Sequence, residues 1–275
     1  MSLKNSARKF TITLRKAIET ASYKDKEYDD GLKAKEALIR SQSLIGIFHE
    51  WLKCELDKEI KLHNNLNHFN WNIHPAIGTS SPELTLFGFF KKKAQDIVFI
   101  RDKFKQEKIA SLGEIDKVGY LASNTSITCG VRSQMSSIDK NFDTLMERAI
   151  AEAVNLKVRL NKITLGELYI IPIREIDNNA AKKNIFKLSD KKVKIDKFIR
   201  QFYNASRHNS KNEVYMVDAA CLLIIDLENN GNVITQKKDL KNLGFDDEVC
   251  EMFEQLKPTN FIERLLNHYI NNNQL

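Results

Sequence analysis

Gln95-Asp96-Ile97-Val98-Phe99-Ile100 and, further on, Ile127-Thr128-Cys129-Gly130-Val131-Arg132-Ser133-Gln134 are the stretches on which the reading of this chain turns. The first sets a carboxylate at the mouth of an apolar, β-branched run. The second closes another apolar run on three polar side chains, one of them an arginine. Side chains alternate along a strand, so Arg132 and Gln134 share a face and Ser133 points the other way. A carboxylate at one strand edge, facing a short polar cluster on the next strand, suits the holding of a divalent cation against a phosphate.

Working outward, residues 34–61 carry Leu38, Leu44, Ile45, Phe48, Trp51, Leu52, Leu56 and Ile60. Steps of three and four predict one long amphipathic helix. An asparagine- and histidine-rich loop is expected over 63–74. Residues 84–90 read as a strand, joined through Lys91-Lys92-Lys93 to the strand 96–100 in a hairpin. A polar excursion separates these from a strand over 126–134. Ser136-Ser137 offers an N-cap for a helix to about Leu156, with Ile138, Phe142, Leu145, Met146, Ala149, Ile150 and Ala153 in one stripe. A strand over 165–173, a basic helix over 192–205, a buried strand over 219–226 and a last helix over 260–270 complete the pattern. Helix, three strands, helix, strand (αβββαβ) with near-continuous apolar strands predicts an α/β fold, a mixed central sheet flanked by helices.

With 275 residues, four prolines and ten glycines, the chain predicts a single domain over 1–275. Its core is expected over about 35–175, and 176–275 is expected to extend the sheet and supply a DNA-binding or dimer surface. A net charge of +7 favours a polyanionic partner. Four cysteines, Cys54, Cys129, Cys221 and Cys250, stand far apart without a C-x-x-C pair, which excludes zinc ribbons and dithiol redox motifs. With no apolar signal core and no membrane-length run, the expected setting is cytoplasmic, with no membrane partner. No P-loop, dinucleotide-binding glycine motif or nucleophile elbow occurs.

The element order, with Asp96 opening the second strand and a polar x-S-Q ending the third, resembles the PD-(D/E)XK nucleases, in particular the type II restriction endonucleases. The run Val131-Arg-Ser-Gln-Met-Ser-Ser-Ile-Asp-Lys-Asn-Phe-Asp-Thr-Leu-Met-Glu-Arg148, continuing into Leu165-Gly-Glu-Leu-Tyr, is also similar to bacterial restriction-enzyme sequences. The resemblance covers roughly residues 84–173. It implies a restriction-endonuclease-like core and Mg2+-dependent hydrolysis of double-stranded DNA. A homodimer and a cognate DNA methyltransferase partner follow from the same resemblance. A DNA-repair or phage nuclease, or a DNA-binding protein with a degenerate site, are the alternatives.

Carried over residue by residue, the resemblance makes Asp96 a metal ligand, although Gln95 stands where proline is usual. Gln134 falls at the lysine position and would orient water. Arg132 falls at the acidic position, where a guanidinium cannot ligate metal and would stabilise phosphate charge instead. The second metal carboxylate would then come from a helix. Glu147 is preferred, with Asp143, Glu152 and Glu50 open, and Asp143 and Glu152 border the apolar stripe more closely. Lys91, Lys92 and Lys93 are candidate phosphate contacts, and Arg207, His208 and Lys211 candidate DNA contacts. His63, His68 and His74 fit no zinc spacing. His49-Glu50 lacks the second histidine of a metalloprotease helix.

Overall fold

The computed structural model describes residues 1–207 and 213–275. The chain opens with three helices, α1 (Leu3–Glu19), α2 (Gly31–Arg40) and α3 (Ser43–Leu62). Apolar spacing predicted one helix over 34–61, and the chain breaks it at Gln42, which takes a left-handed φ of 60°. The break has a local cause. The Ser41 hydroxyl donates to the Leu38 carbonyl at 2.7 Å and accepts from the Ser43 amide at 3.3 Å, competing with the helical ladder.

The principal elements that follow are β1 (Asn72–His74), β2 (Leu84–Phe87), β3 (Lys92–Gln95), β4 (Ile97–Ile100), β5 (Ile127–Ser133), α4 (Ile138–Lys157), β6 (Thr164–Pro172), α5 (Ile195–Ala205), β7 (Ala219–Asp226), β8 (Asn232–Ile234), α6 (Asp247–Leu256) and α7 (Pro258–Asn273). Six strands form the central sheet in the order β8-β7-β6-β5-β4-β1. The strands β5, β6 and β7 run parallel, while β1, β4 and β8 pair antiparallel with their neighbours. The protein is thus α/β, with a mixed six-stranded sheet flanked by helices.

Alternation along the strands divides the interior in two. Ile127, Cys129, Val131, Leu168 and Ile170 face a core shared with Phe10, Leu14, Phe48, Leu52 and Leu265 of α1, α3 and α7. Val98, Leu165, Tyr169, Ile171 and Leu222 face the opposite core with Phe142, Phe198, Phe202 and Phe253 of α4, α5 and α6. Each fully buried side chain of this kind contributes about 1.5–3 kcal/mol. Covering on both faces is why β6 and β7 read as almost unbroken apolar runs. Cys129, Cys221 and Cys250 are buried, and all four cysteines are free thiols.

Two expectations about the strands are corrected. The hairpin pairs β2 with β3, Leu84 opposite Gln95, rather than with the strand carrying Ile97–Ile100. A bend at Asp96 separates β3 from β4, and β4 enters the sheet between β1 and β5. The sheet's first antiparallel strand is β1, within the segment expected to be a loop. The α4 N-terminus also differs: Ser137 makes no side-chain cap, and Glu175 instead accepts from the Ser137 and Ile138 amides, each at 3.0 Å. Among the described residues no helix is long and apolar enough to cross a membrane.

Candidate active site

The side chains expected to carry chemistry meet where β4 leaves β5. Pairing between these strands ends at Ile97 opposite Cys129. Beyond it the Val131 amide on β5 has no strand partner on that side, and Asp96 supplies one: its Oδ2 accepts from Val131 N at 2.7 Å. Asp96 is half-buried at the bend that turns the hairpin out of the sheet.

On the other side of β5, Gly130 lies opposite Glu167 of β6. The Glu167 carboxylate lies over the glycine, so that a Cβ at position 130 would stand 2.8 Å from Oε2 and 2.9 Å from Oε1. A side chain missing from β5 is replaced by one from the neighbouring strand. Two residues on, Arg132 grips that carboxylate with both arms: Nε to Oε2 at 3.2 Å and Nη2 to Oε1 at 3.0 Å. Its Nη2 also donates to Glu152 of α4 at 2.6 Å. Glu152 is further paired with Lys93 of β3.

The charges in this cluster act strongly on one another. Burial pushes the Glu167 carboxyl above the ordinary glutamate value. Arg132 opposes that rise, and the charges of Glu152 and Asp96 add to it. Burial also acts to raise Glu152, but Lys93 and Arg132 outweigh it and hold that carboxyl below the usual value. Burial would weaken protonation of Arg132, yet Glu167 and Glu152 keep it more firmly charged than a free arginine.

Helix α3 closes the far side of the site. Burial holds the His49 imidazole below the usual histidine value, against the charge of Asp96. Its Nε2 is buried and finds no hydrogen-bond partner among the described residues. Glu50, one of the open candidates, accepts from Gly78 N at 2.7 Å and pairs with Lys53 at 2.8 Å. Lys53 in turn donates to the carbonyls of Ala76 and Thr79 at 2.9 and 2.8 Å. Glu50 and Lys53 therefore anchor the 76–79 loop.

The structure brings Asp96 and Arg132 together and leaves other expected residues aside. Gln134 turns its side-chain amide onto the Ser136 carbonyl at 2.6 Å. Glu147 is exposed on α4 and takes no part in the network, and Asp143 pairs with Lys197 at 3.1 Å. Of the candidate helix carboxylates, Glu152 is the one that Arg132 holds. The expected metal pair of Asp96 with Glu147 is thus not assembled, because Glu147 points to solvent. Lys91 is exposed, Lys92 pairs with Glu114, and Lys93 reaches the site through Glu152. Arg207 is exposed and stands over the Tyr203 ring at 5.9 Å. His208 and Lys211 lie outside the described residues.

Glu167 is the residue that sequence reasoning passed over. The signal was present: it is the one charge inside the apolar run Leu165-Gly-Glu-Leu-Tyr-Ile-Ile, and glutamate is almost never fully buried unless paired.

Asp96, Glu152 and Glu167 offer carboxylate oxygens, the donors that magnesium takes, and burial keeps the Glu167 carboxyl above its ordinary value even with Arg132 beside it. Arg132 occupies the space between Glu152 and Glu167. Among the described residues, no three histidine, cysteine, aspartate or glutamate side chains are grouped to hold a metal ion. The donor chemistry fits a hard cation, and the arrangement with Arg132 inserted does not yet hold one.

Comparison of the chain with protein-family models, with curated proteins and with solved structures finds no match.

Proposed function

We propose that this protein is a nuclease that hydrolyses phosphodiester bonds of double-stranded DNA, built on a restriction-endonuclease-like αβββαβ core. One observation carries the reading. Asp96 of the β3–β4 bend, Gly130 of β5 and Glu167 of β6 stand abreast, with Arg132 gripping the Glu167 carboxylate. Helix α3, strands β1, β4 and β5, helix α4 and strand β6 supply the core in that chain order.

Asp96 and Glu167 would hold magnesium, which polarises a phosphoryl oxygen and lowers the pKa of bound water. Arg132 would exchange its hold on Glu152 and Glu167 for the scissile phosphate, where a planar guanidinium matches two oxygens and stabilises developing charge. Glu152 keeps a cation through that exchange, because Lys93 remains beside it. Glutamine is no general base, and Gln134 is turned to Ser136, so the proton from water passes to substrate phosphate or solvent. A type II enzyme acting as a homodimer on a twofold site, beside a cognate methyltransferase, is the form we favour.

Incubation with plasmid DNA and magnesium tests the reading. Discrete fragments are expected, and a smear would indicate a nuclease of little specificity. Asp96→Asn keeps an acceptor for the Val131 amide, so it should fold normally and lose cleavage. Glu167→Gln should do the same, while Glu147→Gln cuts normally. Full cutting by Asp96→Asn would overturn the site. The second reading, a DNA-binding protein whose site is closed by the Arg132 ion pairs, predicts binding without cleavage in magnesium and manganese alike.

A further inference from the structure

The β2–β3 hairpin ends in Gly88-Phe89-Phe90-Lys91, and its tip combines two properties that rarely occur together. Its backbone is fastened tightly. Gly88 N donates to Lys91 O at 3.0 Å, closing the turn. Asn155 of α4, 3% exposed, then receives the rest: its Oδ1 accepts from the Phe90 and Lys91 amides at 2.8 and 3.1 Å. Its Nδ2 donates to Lys91 O at 3.0 Å, and its own carbonyl accepts from Phe89 N at 2.7 Å. Gly88 is pressed so close to Asn155 that a Cβ there would stand 2.2 Å from Nδ2. Arg159 holds the Phe87 carbonyl at 2.7 Å.

The side chains on this fastened turn are nevertheless left outside. Phe89 is 53% exposed and Phe90 64%, and their rings pack edge to face, 4.8 Å apart at 88°. An exposed apolar cluster on a rigid support marks a contact surface. Lysines 91, 92 and 93 follow directly, and β3 then runs straight to Asp96.

We propose that Phe89 and Phe90 form a wedge that packs against the bases of duplex DNA while the exposed Lys91 holds its backbone, an inference that rests on the nuclease reading. Apolar side chains of this type enter between base steps and kink the duplex, and aromatic faces stack on bases whatever their sequence. The exposed cation of Lys91 beside the rings favours a polyanion, and the fixed turn spares the ordering cost that a flexible loop would bear on binding. Extended chain from Phe90 to Asp96 covers up to about 20 Å, roughly six base-pair steps. The wedge would therefore act to one side of the scissile bond, about half a helical turn away.

The test is fluorescence anisotropy of full-length protein with a labelled duplex, in calcium to prevent cutting, across a salt series. Phe89→Ala/Phe90→Ala should weaken binding roughly tenfold to a hundredfold, with an unchanged salt slope and an unchanged melting temperature, since both rings are exposed. Lys91→Ala should instead lower the salt slope by about one. If wild type binds duplex and the double variant binds equally well, the wedge is refuted and the nuclease reading survives. A fall in the salt slope with the double variant would also refute it, because the rings would then act only by placing lysines. If wild type binds no duplex at low salt and binds anionic phospholipid vesicles through these rings, both readings fall.

Discussion

Removing Arg132 should expose how the acidic cluster is balanced. In Arg132→Met the apolar stem is retained and three charged hydrogen bonds are lost, at 3.2, 3.0 and 2.6 Å. Glu152 keeps Lys93, so Glu167 alone is orphaned. Breaking a buried ion pair by deleting one partner costs about 3–5 kcal/mol, and the partial exposure of Arg132, 21%, argues for the lower end. For a chain of this length about 3 kcal/mol corresponds to a fall of roughly 5–10 °C in melting temperature.

The cost should also depend on pH. The folded-state value of Glu167 already lies above the ordinary one, so protonated Glu167 favours the folded state. That contribution is full below the unfolded value of about 4.3 and is lost as pH rises through the folded value. Without its cation the folded value climbs further. The difference between variant and wild type, read by thermal melts in chelator, should therefore be larger at about pH 8 than at about pH 5. Adding Glu167→Gln to Arg132→Met should recover most of the loss at the higher pH. An equal cost at both pH values, or no recovery in the double variant, would refute the account of Glu167 as a buried carboxylate that depends on this guanidinium.

Two further outcomes follow from the same geometry. Gly130→Ala drives a methyl to within 2.8 Å of a carboxylate that Arg132 clamps, so it should destabilise by about 1–3 kcal/mol and abolish cleavage, checked by melts and the plasmid assay. Lys53→Met strips donors from the Ala76 and Thr79 carbonyls and the cation from Glu50, at a side chain 2% exposed. A loss of about 3 kcal/mol or more is expected, with faster proteolysis in the 76–79 loop; an unchanged melting temperature would contradict the anchoring role.

Much of the architecture was legible because long elements carry strong periodicity. The stripe from Ile138 to Ala153 lies on α4, and the apolar runs around Leu168 and Leu222 are β6 and β7. Asn72-Ile73-His74 was illegible as a strand, since three residues of mixed polarity carry no pattern and pairing with β4 alone defines it. The hairpin error came from Asp96, whose bend ends one strand pair and begins another without any proline or glycine to mark it. On α4 the wheel already set Glu152 nearer the apolar stripe than Glu147, and Arg132 of β5 reaches the residue nearer the stripe.

The sequence by itself determined the long central elements from the 138–156 helix through the strands around Leu168 and Leu222, the two-sided burial of those strands, and Asp96 and Arg132 as polar ends of two strands. Those properties are local, written in alternation and helical spacing. Which carboxylate faces Asp96 was decided only by the tertiary structure. Glu167 is separated from Gly130 by a whole helix, and strand register alone sets the one over the other. Register is a long-range property: it is set by how the connection through α4 returns β6 alongside β5, and no stretch of either strand records it.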